Sequence, residues 1–229
     1  MTTLPFAKFA AVAATLCMSL LSSTAQATPI VYTSTGTISS GSDSTGVFGT
    51  VGSLFGKAYS MSLTLDSALF QYNYVSTSSS DHYGKVTGNA MQTVTVNGVT
   101  KSYTFDLSQY NWGEIYAAAS GNFSQMYSYL SGTSTSAQSI SLQQSIYSYS
   151  SSLLASVALS SPMSYTIAAG DYNYGSFSTS GSNGIASFSA NISTYAIKSI
   201  NTDVPEPAPL ALLGLGLAAL GLTRRKTRA

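Results

Sequence analysis

Beyond residue 17 this chain contains no cysteine, and it offers a single histidine, His82, and a single tryptophan, Trp112. The one cysteine, Cys17, lies in an apolar leading segment. Everything after it can form no disulfide, use no thiol nucleophile and build no thiolate metal site. Charge is also scarce, at 7% of residues. Between Thr28 and Asp203, four lysines (Lys57, Lys85, Lys101 and Lys198) face seven acids (Asp43, Asp66, Asp81, Asp106, Glu114, Asp171 and Asp203), a formal charge of −3. The +1 of the whole chain comes from its two ends. No basic patch is present, and an acidic region of this kind disfavours nucleic acid and anionic lipid as partners.

Catalytic chemistry is sparse for the same reason. The sequence has no Gly-x-Ser-x-Gly elbow and no Ser-x-x-Lys pairing. Asp81-His82 with any serine writes a triad on paper. The polar run Ser76 to Ser80, followed by Tyr83 and Gly84, instead reads as an exposed loop carrying a surface histidine. A glycosidase needs two carboxylates across a cleft, and Glu114 beside Trp112 and Tyr116 is the best-placed acid. The competing reading is a core tryptophan with a solvated glutamate. No catalytic residue, cofactor or metal site is assigned, and the expectation is a non-enzyme.

Hydroxyls, glycine and tyrosine are what the chain has in quantity, with 16 tyrosines and 19 glycines. Alternation is the main structural signal. Met61, Leu63 and Leu65 alternate with Ser60, Ser62 and Thr64; Phe70, Tyr72 and Tyr74 alternate with Gln71 and Asn73. Asn97-Gly98 between two such runs predicts a hairpin with a two-residue turn, because both central residues need positive φ. Ser182-Asn183-Gly184, followed by Ala186, Phe188, Ala190 and Ile192, predicts a second. Ile115, Ala119, Phe123, Met126 and Leu130 fit helical spacing, so a short helix is expected around Trp112 to Ser120. Residues 137–160 fit helix or strand. The predicted fold is an antiparallel β-sandwich, jelly-roll-like, with a small helical insertion. Tyr172-Asn173-Tyr174-Gly175 is the expected exposed cluster. Tyrosine and tryptophan combine an apolar face with a polar tip, so Trp112, Tyr172 and Tyr174 are the candidate glycan contacts.

Both ends carry export signals. Residues 1–27 read as a signal peptide: Lys8, an apolar stretch from Phe9 to Leu21, then Ala25-Gln26-Ala27, with Ala25 and Ala27 as the small residues that signal peptidase requires. Residues 28–203 form the exported domain. Residues 204–229 begin with Pro205-Glu206-Pro207, continue as an uncharged run from Ala208 to Leu222, and end in a basic tail (223–229) carrying Arg224, Arg225, Lys226 and Arg228. As a helix the run reaches about 22 Å, short for a hydrocarbon core of about 30 Å, and the basic tail would stay cytoplasmic.

This order of proline-flanked glutamate, short apolar helix and basic end resembles the PEP-CTERM sorting signal of Gram-negative bacteria that make exopolysaccharide. The resemblance implies an exosortase as processing partner, after the secretion machinery and signal peptidase have acted. It also implies transient residence in the inner membrane through the C-terminal helix, then delivery to the cell surface or the extracellular biofilm matrix. The pattern Gly41-x-Asp43-x-Thr45-Gly46-Val47-Phe48-Gly49 is more loosely similar to the N-terminal part of exported proteins with such a tail. Its residue types suit tight turns, and Asp43 is also a candidate oxygen ligand for Ca²⁺, as are Asp171 and Asn173 of Asp171-Tyr172-Asn173. The leading expectation is a surface or matrix protein associated with exopolysaccharide; the alternatives are a secreted carbohydrate-binding module and a secreted glycan hydrolase. Intact-mass measurement of the mature protein from the cell envelope is expected to give a chain that starts at Thr28 and has lost its basic tail. A mass that retains residues 223–229 would mean that the tail is a permanent anchor.

Overall fold

The computed structural model describes residues 29–66, 70–76, 81–107, 111–120, 123–149, 153–154, 158–159 and 161–200. They belong to one compact unit, Ala27–Asn201. The signal peptide, Pro205 to Pro207, the apolar run 208–222 and the basic tail lie outside the described residues. Among the described residues no helix is long and apolar enough to cross a membrane.

Thirteen strands form the unit: β1 (Pro29–Asp43), β2 (Gly52–Ser53), β3 (Ala58–Asp66), β4 (Phe70–Ser76), β5 (Asp81–Val86), β6 (Asn89–Val96), β7 (Val99–Asp106), β8 (Trp112–Ser120), β9 (Phe123–Thr133), β10 (Ser139–Ser148), β11 (Met163–Thr166), β12 (Tyr172–Ser180) and β13 (Ala186–Ser199). All join one antiparallel sheet in the order β4-β5-β8-β9-β10-β12-β13-β1-β3-β6-β7, with β2 on β1 and β11 on β13. The sheet curls so that one face of its strands meets a common core. Curling brings β7 back to the middle of the sheet. The Thr135 N–H, in the turn between β9 and β10, donates to the Thr104 carbonyl at 2.8 Å, and the Tyr103 and Phe177 rings lie 6.0 Å apart.

The predicted alternation builds this face. In β3, Tyr59, Met61, Leu63 and Leu65 are buried while Ser60, Ser62 and Thr64 turn outward. Both predicted hairpins form. Asn97 and Gly98 take φ of 49° and 85° between β6 and β7, as a two-residue turn requires. Ser182-Asn183-Gly184 joins β12 to β13. Leu153 and Leu159 are also buried, and the Tyr32 hydroxyl donates to the Leu159 carbonyl at 2.7 Å.

Three expectations need correction. The two layers of a sandwich are here one continuous sheet, because β12, β13 and β1 pair in succession and carry the hydrogen bonds around the curl. The expected helix at Trp112 to Ser120 is strand β8; its inner face alternates Gly113, Ile115 and Ala117, and the small Gly113 and Ala117 on either side of Ile115 leave its period weak. His82 sits on β5, not in a loop. The open question at 137–160 resolves in its first half, since residues 139–148 form β10.

The core also holds polar side chains. Gln92 and Gln144 are fully buried, and neither amide has a hydrogen-bond partner among the described residues. An unpaired buried amide costs about 1–3 kcal/mol. Gln144→Leu, close in volume, is therefore expected to raise stability by about 1–2 kcal/mol in denaturant unfolding. A lower midpoint would show that the amide is satisfied.

Candidate ligand-binding face

Two features remain after the core is assigned: a buried carboxylate at one end of the sheet and an aromatic surface on its outer side. The carboxylate is Asp43, at the end of β1 and 0% exposed. Its Oδ1 accepts the N–H groups of Thr45 (3.2 Å), Gly46 (2.8 Å) and Val47 (2.8 Å), and its Oδ2 that of Phe48 (2.6 Å). The loop thus wraps around a single negative charge, and Gly46 and Gly49 supply the positive φ that the wrap needs (81° and 97°). Wrapping drives Val47 and Phe48 into the core, where Phe48 meets the rings of Phe177 and Phe188.

The loop docks on the β12–β13 turn. Ser44 N–H donates to the Ile185 carbonyl at 2.9 Å, and Ile185 N–H donates to the Thr45 hydroxyl at 2.7 Å. The buried Gln138 amide ties in the third turn, donating to Thr179 Oγ1 (2.9 Å) and to the Gly184 carbonyl (2.7 Å). Tyr103 lies near the same point. Burial pushes its pKa up, the hydrogen bond with Thr179 opposes the shift, and the charge of Asp43 adds to it.

The candidate calcium oxygens are therefore engaged in the fold. Asp171 accepts the Tyr165 hydroxyl (2.6 Å) and the Ala168 N–H (2.8 Å). Burial raises its pKa, but hydrogen bonds from Tyr165, Ser148 and Ala168 outweigh that effect and hold it below the usual value. Asn173 Oδ1 accepts the Ile192 N–H at 2.7 Å. No group of three or more His, Cys, Asp or Glu that could hold a metal occurs among the described residues.

The aromatic surface lies on the outer side of β8, β9, β10 and β12. Register brings it together: Tyr116 pairs with Tyr127, Glu114 with Tyr129, Gln125 with Tyr147, and Tyr147 with Tyr172. The Tyr147 and Tyr172 rings stack at 4.4 Å and 11°. Phe123 and Tyr149 complete the cluster, each about one ring away from Tyr147 at 5.9 and 5.8 Å. Tyr127 and Tyr129 stack separately at 6.3 Å. Tyr149 is 66% exposed and Tyr172 44%. Crowding raises the pKa of Tyr147, first by desolvation and then through Tyr149 and Tyr172.

On the same outer face, four to six residues along β10 and β12 from the Tyr147–Tyr172 pair, or about 13–20 Å, lies a shallow groove of about 270 Å³ paved by Ser141, Ser176, Ser178, Ser187 and Ser189. Ser141, Ser178, Ser187 and Ser42 are successive register partners across β10, β12, β13 and β1. The surface therefore combines aromatic rings with a row of neutral hydroxyls.

Of the three expected glycan contacts, Tyr172 joins the cluster and half-buried Tyr174 is its neighbour two residues along β12. Trp112 does not join. It is 41% exposed, so it does not anchor the core, but it pairs with Ser131 and thence aligns with Ser141, six residues along β10 from Tyr147. That is about 20 Å of strand. Its indole N–H donates to Glu114 Oε2 at 3.2 Å. Phe123, Tyr147 and Tyr149 were not singled out from the sequence as contacts. A period of two in Phe123, Gln125, Tyr127 and Tyr129 was the available signal, masked by helical spacing in Met126 and Leu130.

The fold and this face define an antiparallel β protein with an aromatic, hydroxyl-rich outer surface. Its destination is read from the other end of the chain: residues 203–226 match the PEP-CTERM protein-sorting motif. The match takes in Pro205, Glu206, Pro207, Arg224, Arg225 and Lys226, and the motif supports sorting as an exported protein by an exosortase. Comparison with curated proteins and with solved structures gave no match.

Replacing Asp43 orphans four N–H groups at once. Asp43→Ala is expected to destabilise the protein by about 3 kcal/mol, read as a lower thermal midpoint. A change within about 0.5 kcal/mol would mean that the loop is held by its docking bonds alone.

Proposed function

We propose that this is a non-enzymatic matrix protein, carried to the surface through its sorting tail and held in exopolysaccharide by the outer face of β9, β10 and β12. The observation that carries the reading is the cluster of Phe123, Tyr147, Tyr149 and Tyr172, with its exposed rings, on the same outer face as a groove of serine hydroxyls. Apolar ring surface suits the C–H faces of sugars, and neutral hydroxyls exchange hydrogen bonds with sugar hydroxyls without the cost of desolvating a charge. The low charge of residues 28–203 agrees with a neutral polymer as partner. On this reading residues 1–27 and 204–229 are addresses, and the 28–203 domain is what stays in the matrix.

Co-sedimentation of the mature protein with exopolysaccharide from the producing strain tests this. Tyr149→Ala with Tyr172→Ala is expected to weaken binding by about tenfold. Trp112→Ala, about 20 Å away along the strands, is expected to change it little. Equal binding by the parent and the double variant would remove the aromatic face from the function. Release of reducing sugars during the incubation would instead identify a hydrolase.

A further inference from the structure

The sheet has two ends, and they are finished differently. In β7, exposed Lys101 stands mid-strand, and the Thr104 carbonyl already accepts the Thr135 N–H at 2.8 Å. A charge in an edge strand and a covered carbonyl both discourage strand addition. β4, reading Phe70-Gln71-Tyr72-Asn73-Tyr74-Val75-Ser76, contains no charged residue and no proline. Among the described residues it pairs with β5 alone. Alternate residues of such a strand turn N–H and C=O away from their single partner, and another strand satisfies that row in register.

We propose that β4 is a self-pairing edge that joins two copies of this chain across a two-fold axis into one continuous antiparallel sheet. The strand itself selects its occupant. Antiparallel pairing about Asn73 sets Asn73 opposite the second copy's Asn73 and Tyr72 opposite its Tyr74, with no charge in the contact, and leaves the irregularity of β4 at Gln71 outside this central run. Cross-strand aromatic pairs of this kind stabilise a sheet. The alternative contact, β4 on β7 of the next copy, would propagate head to tail into a filament. It would have to accept Lys101 at the join and an edge whose Thr104 carbonyl is taken. Two-fold pairing instead uses the uncharged end of the sheet's main strand path in each copy and closes. The inference is independent of glycan binding, because β4 lies two strands beyond β8, outside the aromatic cluster.

Disulfide trapping in the full-length exported chain tests the geometry. With Cys17→Ala as background, Asn73→Cys places the only thiol at the two-fold axis. Cross-strand Cα separations of about 4.5–5.5 Å fall within the span a disulfide accepts. Most of the Asn73→Cys protein is expected at twice the monomer mass on a non-reducing gel, and Lys101→Cys in the same background is expected as monomer. No dimer at Asn73→Cys, or equal trapping at both edges, overturns the proposal. Sedimentation of the detergent-solubilised chain gives a second arm. Asn73→Lys and Asn73→Asp, each facing its own charge, are expected to weaken dimerisation by about fivefold or more, and an equimolar mixture to recover it. Recovery also demonstrates that both variants are folded. Dimerisation as tight as the parent's in each variant alone, or no recovery on mixing, counts against Asn73 as the centre of the pairing.

Discussion

The pairing of β1 with β13 holds this structure together. These two strands, the longest in the sheet, run side by side from Ile30 opposite Ser199 to Asp43 opposite Ala186. On one side lie β3, β6 and β7; on the other, β12, β10, β9, β8, β5 and β4. With no disulfide available, this ladder and the core beneath it join the two halves. The contact is close enough to dictate sequence. At the irregularity after Thr35, a Cβ on Gly36 would collide with the Asn191 carbonyl oxygen, so glycine is required there. Both strands bury tyrosine beneath the ladder. Tyr32 and Tyr195 are each 0% exposed, and burial raises the pKa of both hydroxyls.

The arrangement separates stability from recognition by face. Inside are the aliphatic side chains, the rings of Phe48, Phe177 and Phe188 and the buried Tyr32, Tyr59 and Tyr195; outside are Tyr127, Tyr129, Tyr147 and Tyr172 and the serines of the groove. The carboxylates whose contacts are known serve structure: Asp43 gathers the first loop, Asp171 fixes the turn before β12, and Glu114 accepts the indole of Trp112. Few charges remain to attract ions or polyelectrolytes, and the surface is left to neutral contacts. A hydrated polysaccharide asks for little more.

Much of the fold was legible because half of the strands obey alternation cleanly. β3 and β13 present apolar residues inward and mostly small polar ones outward. The hairpin turns carry residues that tolerate positive φ. β9 and β10 were not legible because their pattern is partly inverted. Ser124, Ser128, Gln144 and Ser148 are buried, whereas Tyr127, Tyr129 and Tyr147 turn outward. A reading that sends aromatics inward therefore misses both the strands and the surface they build. In β8 only Ile115 of the alternating inner residues is large, and one residue does not mark a period. Whether the layers form two sheets or one depends on which strand ends meet across the curl, and local periodicity carries no information on that. Asp43 was recognisable as a turn residue, but its four donors converge only once the loop is folded.

The position of β13 has a consequence for timing. It is the last described strand in sequence yet lies in the interior of the sheet, between β12 and β1. A chain that emerges N-terminus first can form the β6–β7 and β9–β10 hairpins early, since these are local. β1 must wait with one edge open until some 140 further residues have followed it. Non-local pairing of this kind is slow and leaves unpaired strands exposed in the meantime. A molecule interrupted before Ala186 would consist of two unjoined halves. The last strand to arrive is the one that completes the sheet, and it immediately precedes the segment that carries the sorting motif. Folding and readiness for sorting therefore come due at the same point in the chain.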